Sequence, residues 1–317
     1  MHATPPKPRG AALAAFAVIA AFGALGARCW GRDAADASLG ASSRSGASSE
    51  TSTAEAGPLA RAPDGRPLVL TFEEDFRRLD GPCGQPARWR SAFGDGGQAG
   101  PGDGVGKRTL AGNGEMQVYV DRCFAPGCAS PFQARPGGLD IVAVRSASPI
   151  EGHPFASGVL TTQPSFSQAY GYFEMRARLP RGKGLWPAFW LLPSDLSWPP
   201  EIDVMESVGD PARAYATAHS RGRDLPGVEY ALADPDAFHR FAVAWDPRDI
   251  VWFVDGREVA RKPTPPDANK PMFMLLNLAV GGNWPGAPDA ATAFPARFSV
   301  DWVRAYRFAS TSGGTRP

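Results

Sequence analysis

Seven consecutive residues, Glu201-Ile202-Asp203-Val204-Met205-Glu206-Ser207, place three carboxylates within six positions and separate them with large apolar side chains. A solvated charge run is not spaced this way. In a regular strand alternate side chains share a face, so Glu201 and Asp203 point one way while Ile202 and Val204 point into a core. Strict alternation would send Glu206 to the opposite face. One extra residue in a β-bulge, at Met205 or its neighbour, corrects the parity, and all three carboxylates then line one side of a sheet. Like charges crowded together raise at least one pKa, which is costly unless the chemistry requires it. Glycosidic bond cleavage does: one carboxylate attacks the anomeric carbon, and a protonated one donates to the leaving oxygen. A bulged strand would hold the two glutamates about 5 to 7 Å apart, nearer the retaining separation than the inverting one, with Asp203 between them sharing a proton with either. The competing readings are an acidic face and a calcium site on an edge strand. Calcium takes roughly six to eight oxygen ligands, and three from one strand are too few alone.

The flanks of this strand are aromatic. Upstream, GKGLWPAFWLLPSDLSWPP carries Trp186, Trp190 and Trp198; downstream, NLAVGGNWPG carries Trp284. Sugar rings pack their C–H faces on indoles, while their hydroxyls need polar partners such as Asn113, Asn277 and Asn283. Trp186 and Trp284 stand beside Pro and Gly breaks and suit a groove wall, whereas Trp245, Trp252 and Trp302 lie inside strand patterns and suit a core. His219, in YATAHS soon after the acidic strand, belongs on the neighbouring strand and in the cleft.

The elements that must position these groups are strands. In YFEMRARL, Phe173, Met175, Ala177 and Leu179 share one face, with Tyr172, Glu174, Arg176 and Arg178 on the other. LVLTF, FAVAW, IVWFV, MFMLLNLAV and SVDWVRAYRF are further strands, and Asp255-Gly256 suits a tight hairpin. No stretch of a dozen residues shows helical spacing with caps. With 36 Gly and 32 Pro in 317 residues, the chain is heavily punctuated by turns. Two packed antiparallel sheets fit this pattern better than alternating βαβ units.

Around that unit, residues 1–27 have the form of an export signal, with Lys7 and Arg9 ahead of a charge-free, Ala-rich stretch from Gly10 to Ala27. A membrane anchor is the competing reading, since 18 uncharged residues reach the lower edge of a span. Residues 28–66 lack aromatics after Trp30 and read as an Ala/Ser-rich linker, residues 67–309 as the folded domain, and 310–317 as a tail. Export would place Cys83, Cys123 and Cys128 in an oxidising compartment. A Cys123–Cys128 bridge across FAPG is expected, with a Cys83 pairing as the other option. Lys plus Arg against Asp plus Glu is 33 to 32, without the basic surplus of a nucleic-acid binder. A secreted or periplasmic monomer, with no nucleic-acid partner and no permanent membrane insertion, is expected to meet a polysaccharide.

The motif E-I-D-V-M-E resembles the signature of glycoside hydrolase family 16, in the variant with an extra residue before the second glutamate. NGEMQVYV, SGVLTTQPSFSQAYGYFEMRARLPRGKGLWPAFWLLP, FVDGREVAR, PMFMLLNLAVGGNWPG and VDWVRAY resemble it too, in order, across essentially the whole domain. The resemblance implies a β-jelly-roll sandwich with an open concave cleft. It implies Glu201 as nucleophile, Asp203 as assisting acid and Glu206 as general acid/base. It places Asn113, Glu115, Trp186, Trp190, His219, Asn277 and Trp284 along the sugar subsites. The motifs are most similar to bacterial endo-β-1,3 and β-1,3-1,4-glucanases and to exopolysaccharide-trimming glycanases. A transglycosylase, a galactan hydrolase and a non-catalytic glycan-binding jelly roll are the alternatives. No cofactor is implied for the chemistry. One structural calcium ion is implied at Asp75 and Asp301, although Asp75 is a methylene shorter than the usual glutamate.

Overall fold

The computed structural model describes residues 57–79, 88–94, 104–125, 128–163, 165–223 and 225–309. The expected export signal, most of the linker and the tail lie outside them. In chain order the strands are β1 Leu68–Glu74, β2 Gln117–Tyr119, β3 Phe132–Arg135, β4 Gly138–Ile150, β5 His153–Ser157, β6 Val159–Thr161, β7 Gly171–Arg178 and β8 Leu185–Pro193. They continue with β9 Glu201–Glu206, β10 Arg213–His219, β11 Val228–Ala231, β12 His239–Trp245, β13 Asp249–Val254, β14 Arg257–Pro263, β15 Met272–Val280 and β16 Ala296–Phe308.

These strands form two sheets. One has ten strands, in the order β14-β13-β12-β7-β16-β4-β5-β2, with β1 also on β16 and β3 also on β4. The other has six, β11-β10-β9-β8-β15-β6. Every ladder is antiparallel except the short β2–β5 pair, which is parallel. The two packed antiparallel sheets expected from the alternating pattern are therefore present, in the jelly-roll sandwich that the resemblance implies. Phe173, Met175 and Ala177 from β7 meet Ile202, Val204, Leu276 and Leu278 from the six-stranded sheet in one continuous core. The unbroken apolar run of β15 has a simple cause. Met272, Met274, Leu276 and Leu278 face that core, while Phe273 and Leu275 belong to a smaller cluster with Ala188 and Trp190 on the sheet's other face.

The folded unit starts before Pro67. Leu59 and Ala62 pack on Tyr172, Ala242, Val251 and Phe253 on the outer face of the ten-stranded sheet. The Leu59 amide donates to Tyr306 Oη at 3.1 Å, and the Leu68 amide to the Ala60 carbonyl at 2.9 Å. Composition marked residues 57–66 as linker because they carry little apolar bulk. A sheet face already lined with aromatics lets two small residues suffice.

The two residues implied for calcium are engaged otherwise. Asp301 is buried and accepts from both Arg135 and Arg176, while Asp75 is an exposed partner of Arg77. Asp301 is already balanced by Arg176 and by Arg135, which it shares with Asp140, so a divalent cation would have to displace existing ion pairs. The residues present do not fit calcium. Cys123 and Cys128 are both disulfide-bonded, and no described cysteine is a free thiol. Cys83, the other candidate partner, lies outside the described residues.

Candidate active site

The acidic strand carries the bulge that its spacing requires. Tyr215 pairs with Glu206 and Thr217 with Asp203, so two steps along β10 match three along β9. Against β8, Phe189 pairs with Met205 and Trp190 with Asp203, which places the extra residue at Val204. Ile202, Val204 and Met205 all enter the core, and the three acids share the opposite face. The bulge interrupts the ladder locally, and from the other sheet Trp252 Nε1 donates to the Asp203 carbonyl at 2.8 Å. The tryptophan that reads as plain core thus holds the bulge from beneath.

Each acid has its own surroundings. Glu201 is half-buried and accepts from Trp198 Nε1 at 2.6 Å. Asp203 is 2 % exposed, with His219 Nε2 3.3 Å from its Oδ2. Glu206 is 8 % exposed and accepts from Trp186 Nε1 at 2.9 Å. Burial pushes the Glu201 carboxyl well up, helped by the Asp203 charge beside it. Asp203 is pushed well up by its own burial and then by the charge of Glu206. Glu206 is pushed up to about 7, again chiefly by burial, with the Trp186 donor acting the other way. Among the described residues no lysine or arginine forms an ion pair with any of the three. The wall therefore balances its charge with protons, and at neutral pH it holds fewer than three negative charges.

The expected subsite residues gather around this wall in three groups. Trp186 and Trp284 meet edge to face at 5.7 Å, and Tyr215 meets Trp284 at 4.7 Å; Trp284 is 45 % exposed and open to a ligand. Further along β8, Trp190 Nε1 donates to Asn277 Oδ1 at 2.8 Å, and Asn277 Nδ2 donates to Tyr119 Oη at 3.0 Å. Asn113 Nδ2 at 3.3 Å and Gln117 Nε2 at 2.6 Å donate to the two oxygens of Glu115, whose carboxyl is pushed up by burial. Trp190, Asn277 and Glu115 are thus buried partners in a hydrogen-bonded floor, more than free arms of the cleft. Asn283 braces the Asn113 turn, its amide donating to the Asn113 carbonyl at 2.7 Å. His219 is exposed and lies opposite Glu201 in register. Beyond Trp190 the cleft ends in a small apolar pocket of about 180 Å³ lined by Leu192, Phe273, Leu275 and Trp198.

Sequence reasoning missed five contributors. Trp198 was noted only as a flank, yet it is 61 % exposed and touches Glu201. Tyr215 and Thr217 alternate with His219 in RAYATAH, and counting back from the histidine in twos would have found them. Tyr119 and Gln117 share a face with Glu115 by the same rule. Glu201, Asp203 and His219 present ligand atoms within 4.8 Å of one another, the geometry of a potential divalent-ion site.

Comparison with known proteins agrees with this geometry. The family model of the glycosyl hydrolases family 16 matches residues 135–304. An endo-1,3-1,4-beta-glycanase, EglC, of Rhizobium meliloti is 41% identical over 256 residues, covering 75% of this chain and 52% of the relative. The chain thus spans about half the length of that relative. A beta-glucanase of Rhodothermus marinus is 37% identical over 223 residues, covering 62% of this chain and 76% of the relative. Among solved structures, the endo-beta-1,3-glucanase of Pyrococcus furiosus superposes with a TM-score of 0.66 at 31% identity, covering 80% of this chain and 99% of that one. The laminarinase catalytic domain of Thermotoga maritima gives 0.63 at 32% identity, with 76% and 99% covered.

Proposed function

The chain belongs to glycosyl hydrolase family 16, and we propose that it is a retaining endo-hydrolase of β-glucosidic bonds in β-1,3- or mixed β-1,3-1,4-glucans, or in a related bacterial exopolysaccharide. The observation that carries this reading is the bulged strand with three carboxylates on one cleft wall and, among the described residues, no lysine or arginine paired with them. The named activities of the relatives, a 1,3-1,4-beta-glycanase and an endo-beta-1,3-glucanase, support the substrate class.

The mechanism follows from the three environments. Glu206, raised to about 7, carries a proton in a large fraction of molecules at neutral pH and delivers it to the leaving glycosidic oxygen. As that C–O bond breaks, a Glu201 oxygen attacks the anomeric carbon and forms a glycosyl ester. Asp203, deeply buried and hydrogen-bonded to Glu201, takes over the proton that the pair shares and so frees Glu201 as the nucleophile. In the second half, the Glu206 carboxylate takes a proton from water, the hydroxide oxygen bonds the anomeric carbon, and Glu201 departs as carboxylate. The configuration is retained. The Trp186–Trp284–Tyr215 group supplies apolar faces for the sugar on the Glu206 side.

Azide separates the two glutamates. Glu201→Ala should abolish hydrolysis, and azide entering the vacated space should give a glycosyl azide of inverted, α configuration from an activated substrate. Glu206→Ala should still form the ester from a substrate whose leaving group needs no proton, and azide should then give the retained, β product. Swapped stereochemistry would reverse the roles, and near-normal activity in both variants would sink the glycosidase reading.

Export rests on the charge-free 10–27 stretch, and protein collected outside the cytoplasm should begin near Arg28 by mass spectrometry. A Cys123–Cys128 link is the pairing proposed for those bonded sulfurs. Peptide mapping without reduction would show it, and a Cys83 peptide in its place would overturn it.

A further inference from the structure

At the Glu201 end of β9 the cleft opens into a pocket of about 640 Å³. Two of its walls are groups that touch the acids: Trp198, which donates to Glu201, and His219, which lies against Asp203. Whatever fills this pocket therefore sits beside the sugar held at Glu201. Among the described residues, the rest of its lining contains Arg221 and Arg223 and no acidic residue. The nearby carboxylate of Asp267 is engaged elsewhere, accepting from Ser220 Oγ and from the Arg221 backbone amide, both at 2.8 Å. It pins the turn and leaves the guanidinium free to face the pocket. Arg221 is oriented by donating Nη2 to the Trp198 carbonyl at 3.3 Å. Among the described residues no carboxylate pairs with Arg221 or Arg223.

A neutral glucan offers these cations hydroxyl acceptors but no counter-charge, and the charge left on the cleft's own acids would repel an anionic chain unless positive charge offset it. Guanidinium groups bind planar carboxylates in a paired fork, and opposite charge at a cleft mouth also speeds encounter. We propose that this pocket receives a carboxylate carried on the polysaccharide, with Arg221 as the anchor and Arg223 as a second contact, so that the preferred substrate is an acidic glycan. The proposal rests on the glycosidase reading above. Both arginines are exposed, so the preference should be a modest multiple and should weaken with salt.

The test uses one β-1,3-1,4-glucan in three forms: unmodified, oxidised at C6 to the uronate, and carboxymethylated. kcat/KM is measured for the wild type and for Arg221→Gln/Arg223→Gln at low and at high NaCl. The wild type should favour a carboxylate form over the neutral one. That ratio should fall about five-fold in the double variant, as expected for exposed charge pairs, and should fall in salt for the wild type alone. Dependence on the arginines with the uronate form assigns a carboxylate on the ring, and with the carboxymethyl form one on a side arm. An equal ratio in wild type and variant, or a wild type indifferent to charge, overturns the pocket assignment while leaving the glycosidase reading intact. A wild type inactive on all three forms removes both, and the azide experiment would register that independently.

Discussion

Glu206 and Glu174 are both strand glutamates, and burial pushes both up to about 7. They stand on opposite outer faces of the sandwich. Glu174 is 1 % exposed, accepts from Tyr172 Oη at 3.3 Å and lies across the ladder from Arg304, in the positive fields of Arg240 and Arg304. Its neighbour on the same face, Asp301, is held between Arg135 and Arg176. On the cleft wall the partners are two indoles and an imidazole. A raised pKa is thus a mark of burial and no more. What distinguishes the cleft is that protons, not arginines, balance its acids, and a proton can be handed to a substrate.

The sharpest way to break this comparison is to neutralise each glutamate. Glu206→Gln keeps the shape and removes the transferable proton, so kcat/KM should fall by roughly a thousand-fold, within the usual span for a general acid. Glu174→Gln should change kcat/KM by less than about two-fold, since that side chain is buried on the face away from the cleft. Comparable losses in both variants would mean that activity tracks integrity of the sandwich and not the cleft wall.

Stability should run the other way. Asp301→Ala takes the paired carboxylate from Arg176 and leaves Arg135 with Asp140 alone, and should lower the unfolding free energy by about 3 kcal/mol, the cost of breaking a buried pair. Activity per folded molecule should persist. Asp203→Asn removes one acid from a crowd that repels itself, so it should hold or raise the urea midpoint while activity falls. Added calcium or EDTA should leave the wild-type midpoint in place, because guanidinium groups already occupy the Asp301 environment. A calcium-dependent midpoint that persists in Asp203→Asn, where the Glu201–Asp203–His219 cluster is broken, would show that the arginine pairing is not what balances Asp301.

The same contrast explains how much could be read from the sequence. The bulge was legible because three acids and three apolar residues cannot satisfy a period of two without it, and the sandwich was legible from YFEMRARL and its like. The arginine pairing of Asp301 was not, because Arg135 comes from a strand 166 positions away and local spacing says nothing about which strands will meet. Trp252 was legible as core but not as a donor, since its acceptor is a backbone carbonyl that no side-chain pattern encodes. The start of the domain failed for a related reason: Leu59 and Ala62 matter only because Tyr172 and Phe253 wait for them. Trp252→Phe tests the donor directly. It should cost about 1 to 2 kcal/mol, a buried carbonyl losing its partner, and should lower kcat/KM by loosening the bulge. Unchanged stability would leave the bulge held by the ladder alone.

The smallest expected effect is the most specific. Glu206 must be protonated to start the reaction, so kcat/KM should decline as pH rises through about 7. The Trp186 N–H favours the charged carboxylate and therefore holds that pKa down against burial. Trp186→Phe keeps an aromatic face toward Trp284 but deletes the donor. With burial less opposed, the Glu206 pKa rises, and the alkaline limb should move to higher pH by up to about one unit, the equivalent of one hydrogen bond to a charged group. The amplitude should fall as well, because the Glu206 carboxylate formed after proton transfer loses a stabilising contact. Glu174 offers the control: Tyr172→Phe deletes a donor to an equally raised carboxyl and should leave the limb where it was. A limb that moves down, or one that moves in Tyr172→Phe instead, would take the proton-donor role away from Glu206.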